Sequence, residues 1–312
     1  MREGAQIQAL AVAAVFRDVE TYQARTEHMD SGQPFYQDLI EVESIPPLPA
    51  TAANLLVMAA DPDVEMEALA LVIERDPPLS ARLLGVANSA FYSPPKPVMT
   101  IKDSIIRVLG LNMVRNLALG MALAGGLSTA ACPRFDLTAY WVTALGTADL
   151  ASGLARAATV ADAPEPETAY MVGLLHNLGE LLLVHLYPAE MDEALRRQAE
   201  DPHSQLVEHE HELIGVDHWY AGAFLARHWQ LPAIISASIE RFDDTGSTDD
   251  DAQVLNLVRA ARCWLSAMVD GSAGPLQVEG VDEAYCSHQS TAFPEHYDAC
   301  LLYTSDAADE SS

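Results

Sequence analysis

Leu174-Leu175-His176-Asn177-Leu178-Gly179-Glu180 sets an imidazole and an amide side by side in an otherwise apolar run. Around it, Met171, Leu174, Leu175, Leu178, Leu181, Leu182 and Leu183 cover almost every side of a 3.6-residue period. This pattern predicts one helix from about Glu167 to Leu186, running through a core. A carboxylate beside His176 would bind a divalent ion through oxygen while the histidine bound through nitrogen. Asn177 offers only a neutral carbonyl and two donors, so most of the attraction for a cation is gone. On its own, His176 reads as a buried, hydrogen-bonded histidine, and Asn177 as a hydrogen-bonder that orients or caps a neighbouring segment.

Helix signals continue on both sides. Before the core stretch, Ile45-Pro46-Pro47-Leu48-Pro49 forces extended backbone, because each proline disfavours helix in its predecessor. Thr51–Ala60 then forms a helix that Asp61-Pro62 stops, and Met66, Leu69 and Ile73 mark a second. Asp76 is an N-cap, and Pro77 the first residue, of a third helix, with Leu79, Leu83, Val86 and Ala90 as its buried stripe. Thr100 and Asp103 approximate a capping box, and Gly110 is the expected C-cap. Further helices are predicted over Leu111–Leu127, Leu137–Ala158, from Pro188, Ser204–Leu213, His218–Trp229, from Leu231-Pro232 and Val254–Met268. No alternating strand pattern of useful length is present, so the fold class is all-α, a multi-helix domain of two packed helical halves.

The halves are expected at about 44–130 and 131–269. Residues 1–43 read as a helical lead-in, with Ala9, Val12, Phe16 and Val19 on one face, and 270–312 as a poorly ordered acidic tail. The 312 residues carry 17 Lys and Arg against 45 Asp and Glu, a formal net charge of −28. Such a chain repels phosphate backbones and anionic bilayers, so neither nucleic acid nor membrane is an expected partner. No apolar run reaches the roughly 18–20 residues that span a bilayer, and the first residues lack a secretory pattern, so a cytoplasmic location is expected. The four cysteines form no C-x-x-C pair, which argues against a disulfide framework or a thiolate zinc site.

Taken in order, these phrases resemble the HDOD family, the HD-related output domain of bacterial signalling proteins, over roughly residues 40–269. They are Ile45–Pro49, Ile73-Glu74-Arg75-Asp76-Pro77-Pro78-Leu79, Ala87-Asn88-Ser89-Ala90-Phe91-Tyr92, Ile105–Gly110, Arg115-Asn116-Leu117, Gly173–Gly179, Gly215-Val216-Asp217-His218 and Trp229-Gln230-Leu231-Pro232. The resemblance implies an all-α fold related to HD phosphohydrolases, in a signalling domain that is usually not an enzyme. A catalytic HD site needs a first histidine, the His-Asp pair and a late aspartate. The corresponding residues here are Thr143, His176-Asn177 and Arg262, which leaves one ligand of four and adds a cation that repels metal. The family's frequent histidine pair near the end of the Pro232 helix is replaced by Arg241-Phe242.

Other candidates are weaker. His203, His209, His211 and His218 suggest a metal cluster, but residues 209 and 211 point to nearly opposite helix faces and the string is not H-E-x-x-H. A solvated face is expected there. Ser89 lacks a nucleophile turn, and Pro94-Pro95-Lys96-Pro97 reads as a stiff surface loop. The expectation is therefore a non-catalytic, cofactor-free signal-transduction module that binds another signalling protein, with gating by a small ligand and self-association left open. The surface expected to matter is the junction of the halves, at Asn88, Ser89, Phe91, Tyr92, His176 and Asn177. The alternative is a metal-dependent phosphohydrolase or cyclic-nucleotide phosphodiesterase with an altered ligand set.

Overall fold

The computed structural model describes residues 45–59, 64–89, 92, 94–160, 163–201, 204–243, 252–269, 272–291 and 293. The expected lead-in at 1–43 lies outside them, as do Phe91 and His203. The first half holds α1 (Ala50–Ala59), α2 (Met66–Glu74), α3 (Pro77–Ala87), α4 (Ile101–Ser104), a π-helical turn (Ile105–Leu109) and α5 (Leu111–Ala124). The second half holds α6 (Leu137–Arg156), α7 (Pro166–Leu175), α8 (Leu178–Leu186), α9 (Pro188–Glu200), α10 (Leu206–Leu213), α11 (His218–His228), α12 (Ala233–Glu240) and α13 (Ala252–Val269). Among the described residues there is no strand, only an isolated bridge between Ala158 and Val281.

Local chemistry sets most of the boundaries. Asp76 Oδ1 accepts from Leu79 N at 3.1 Å to start α3, while its other oxygen accepts from Thr51 Oγ1 at 2.9 Å and so ties α1 to α3. Thr100, Asp136 and Asp217 cap α4, α6 and α11 by accepting from Asp103 N, Ala139 N and Tyr220 N. Such caps are worth about 1 kcal/mol each. Gly110 ends the π turn at φ 80°, a left-handed conformation that residues with a Cβ rarely adopt.

Packing joins the halves through α5 and α7. At Gly120 of α5 a Cβ would lie 2.5 Å from Leu174 of α7, so the missing side chain lets the helices close. The proline-rich segment before α1 is held by Trp229, whose indole Nε1 donates to the Pro46 carbonyl at 2.9 Å. Pro166–Leu186 has a mean hydropathy of 1.3, enough by length and composition to cross a membrane, yet it is 78% buried within the protein. Leu174, Leu182 and Leu183 are 0–1% exposed, so its apolar surface is satisfied internally.

Two expectations change. The single helix predicted over 167–186 is broken at His176-Asn177, where Asn177 takes φ −102° and ψ 20°. The chain steps there because Gly179 is pressed against α11, where a Cβ would sit 1.8 Å from the His218 carbonyl oxygen and 2.5 Å from Gly222 N. Nothing in the local periodicity encodes that contact. The second change concerns the tail. Residues 272–291 fold back on α6 and α13: Gly280 O accepts from Thr159 N at 2.7 Å, Asp282 N donates to Ala157 O at 2.9 Å, and Trp264 Nε1 donates to Gly274 O at 3.0 Å. Leu276, Val281, Cys286 and Phe293 are buried, and 283–291 are helical. Four isolated anchors make no period, so the sequence pattern looked like decay.

Candidate functional site

His176 and Asn177 lie at the break between α7 and α8, 0% and 3% exposed. Gly173 makes room for them, since a Cβ there would lie 2.7 Å from the Ala148 backbone of α6. His176 Nδ1 contacts the Gly173 carbonyl oxygen at 2.6 Å. A carbonyl only accepts, so Nδ1 carries the proton and Nε2 keeps its lone pair. That Nε2 and Asn177 Oδ1 are buried without a hydrogen-bond partner among the described residues. Burial, reinforced by the positive charge of Arg262 on α13, pushes the His176 imidazole down to about 3, so it is neutral at pH 7.

Aromatic rings close over this histidine. Phe242 stacks on it at 5.2 Å between centroids, Trp219 stacks on Phe242 at 4.4 Å, and His218 meets Trp219 at 4.1 Å. Behind the rings is a buried ion pair. Glu210 Oε2 accepts from His218 N at 2.9 Å and from Nδ1 at 2.7 Å, with the two residues 0% and 5% exposed. Burial alone would lower the His218 imidazole, but the facing Glu210 carboxylate, helped by Glu180 and Asp217, raises it to about 9. Glu180 of α8 is partly buried. Burial raises its carboxyl, while His218 and Arg262 pull it down and Glu210 pushes it up.

The solvated face expected at His209, His211 and His218 therefore holds only in part. Half-buried His209 contacts Ser204 Oγ at 2.9 Å, and His211 Nε2 meets Asp217 Oδ2 at 3.0 Å. Glu210 and His218 meet across the turn at Gly215 (φ 97°), which ends α10 and lets α11 start in a new direction. Sequence spacing treats residues 210 and 218 as remote, and only that turn joins them. Among the described residues, no group of three His, Cys, Asp or Glu side chains could hold a metal ion.

The other expected residues take different places. Thr143 is half-buried on α6, one turn before Thr147 and Ala148, the residues that touch Gly173. Arg262 acts electrostatically on both His176 and Glu180, while its Nη1 donates to Ser266 Oγ. Asn88 is fully engaged as a staple: its Nδ2 donates to Leu84 O and Val98 O, each at 2.9 Å, and its Oδ1 accepts from Val98 N at 2.8 Å. Ser89 Oγ is buried, and Tyr92 is half-buried and close enough to Tyr170 of α7 to act on its hydroxyl.

The junction of the halves does hold a cavity, but other residues form it. It measures about 260 Å³ and lies between α1, α5, α7 and α12, with Arg115, Asn116, Leu119, Met171, Leu175 and Leu231 in its wall. Sequence reasoning missed these residues as a site. The available signal was Arg115-Asn116, a polar pair inside the apolar helix α5.

The domain is all-helical, with a histidine at a helix break beside stacked aromatic rings and a buried ion pair. The sequence matches the HDOD domain family over residues 45–245, and the chain belongs to that family. Among solved structures, a protein of Marinobacter aquaeolei VT8 named for signal transduction is 27% identical, with a TM-score of 0.71, covering 94% of this chain and 65% of its own. A Shewanella amazonensis SB2B protein named as a phosphohydrolase is 25% identical, with a TM-score of 0.66, covering 84% of this chain and 96% of its own. An HDOD domain protein of unknown function from Geobacter sulfurreducens shares the fold at 21% identity and a TM-score of 0.64, covering 82% of this chain and 92% of its own. An uncharacterized protein of Treponema pallidum (strain Nichols) is 32% identical over 197 residues, which is 61% of this chain and 36% of that one. The chain thus spans about a third of its Treponema relative and 65% of the Marinobacter protein.

Proposed function

We propose that this domain is a cytoplasmic signalling module that works by binding a partner protein, gated by a small ligand, and not by catalysis. One observation carries the reading: the donor pair at the helix break is a neutral imidazole beside a neutral amide, with the Arg262 charge acting on it. A hard divalent ion is held by carboxylate oxygens and repelled by a guanidinium, so these residues do not fit one. The stacked rings of Phe242 and Trp219 also cover the histidine face with apolar surface. The signalling role is supported by the family and by the similarity to the Marinobacter protein named for signal transduction.

The competing reading, a metal-dependent phosphohydrolase, draws on the Shewanella protein and on partly buried Glu180 and buried Glu210 and His218 beside the site. The test is elemental analysis of the full chain, purified without chelator and then incubated with manganese, iron or zinc. Metal well below one equivalent, and no turnover of phosphodiesters, is the expected result. One or two equivalents, lost in His176→Ala, would overturn the proposal.

A further inference from the structure

We propose that the cavity between α1, α5, α7 and α12 binds a small apolar monoanion, an aliphatic or phenyl-bearing carboxylate, with its head on Arg115 and its body among leucines. The proposal rests on the reading of the domain as a ligand-gated binding module and names the class of ligand. The cavity volume of about 260 Å³ falls just below the usual range of ligand pockets, which starts at about 300 Å³, so the ligand must be small. Leu119, Leu123, Met171, Leu175, Leu231 and Ile235 make most of its wall apolar.

The polar part is concentrated and of one kind. Arg115 projects from α5, and its Nε is buried without a hydrogen-bond partner among the described residues. A guanidinium whose Nε–H is already desolvated and unpaired gains a charge-assisted bond on meeting a carboxylate, in the fork geometry that suits both. Asn116, 4% exposed, also lines the cavity. Two helices begin at this wall, since Glu167 and Thr168 stand in the first turn of α7 and Ile234 in the first turn of α12. Neither helix has a side-chain N-cap, so the partial positive charge of both amino ends adds to that of Arg115.

Glu167 sets the limit on ligand charge. It is exposed at the wall, and its Oε1 accepts from Asn112 Nδ2 at 3.2 Å. Among the described lining residues Arg115 is the one cationic side chain and Glu167 offsets it, so beyond the two helix ends no positive charge remains for a second negative charge on the ligand. Nucleotides and phosphate esters are thereby disfavoured, while a monocarboxylate is accepted. Because α1 and α5 belong to the first half and α7 and α12 to the second, a bound molecule touches both. It would therefore favour whichever packing of the halves closes around it.

The experiment is calorimetric titration of the full chain with octanoate and with phenylpropanoate, with octanol and octyl phosphate as probes of the same body and different charge. The carboxylates are expected to bind, with octanol and octyl phosphate at least about tenfold weaker. Arg115→Gln should weaken the carboxylates by about ten- to a hundredfold, the effect of losing one charge-assisted bond. Met171→Trp fills the cavity without touching a charge and should abolish binding, which keeps the test open if Arg115→Gln does not fold. Octanol binding as tightly as octanoate, octyl phosphate binding equally well, or no carboxylate binding at millimolar concentration each overturns the assignment. Those outcomes leave the metal analysis unaffected, so failure of the ligand and failure of the non-catalytic reading are distinguishable.

Discussion

The buried Glu210–His218 pair should give the domain a measurable dependence of stability on pH, and Glu210→Gln should reduce it. His218 is raised from 6.5 to about 9 by Glu210, with Glu180 and Asp217 adding to the effect. Below pH 6.5 the imidazole is protonated in both folded and unfolded chains, and the pair contributes in full. Between 6.5 and about 9 the unfolded chain has lost its proton while the folded one keeps it, so the contribution falls, and above about 9 it is gone. That rise in pKa corresponds to about 3 kcal/mol. His211, raised chiefly by its bond to Asp217 and in smaller part by Glu210, titrates with the same sign, so the variant keeps a shallower slope. His176 acts in the opposite sense: held down to about 3, it makes the unfolded chain the proton binder below 6.5, so stability also falls in acid. Urea unfolding at half-unit steps from pH 5 to 9.5 should show a maximum near 6.5. Glu210→Gln should be less stable by about 3–5 kcal/mol at pH 6 and should fall less steeply than wild type above 6.5. A wild-type curve without slope between 6.5 and 9, or the same slope in the variant, would refute the pairing.

Two further changes test the packing. Gly179→Ala places a methyl 1.8 Å from the His218 carbonyl, forcing α8 and α11 apart, and should cost about 3 kcal/mol or more in urea unfolding. A variant within about 0.5 kcal/mol of wild type would mean that the helices do not meet there. Asn88→Ala removes the staple between α3 and Val98, leaving Leu84 O, Val98 O and Val98 N without it, and should cost about 2–3 kcal/mol. Amide exchange of Val98 should quicken in that variant before global unfolding does. Protection unchanged at Val98 would remove Asn88 from its structural role.

How much of this was legible in the chain follows from the range of each interaction. Caps, prolines and apolar periods act within a turn or two of helix, so Asp76, Thr100 and Gly110 mark real boundaries, and the all-α class with a buried Leu174–Leu183 stretch could be read directly. That the neighbour of His176 is an amide and not a carboxylate was equally plain, because residue identity alone decides how much charge a donor offers. The break at His176-Asn177 was not legible, since it depends on Gly179 meeting the His218 backbone across 39 positions of sequence. The inward turn of Glu210 and His218 was hidden for the same reason: a charged pair looks solvated until the fold brings the two side chains together away from water. The cavity is the extreme case. Arg115, Met171 and Leu231 come from three helices or their flanks, and a void is a property of packing that no segment carries alone.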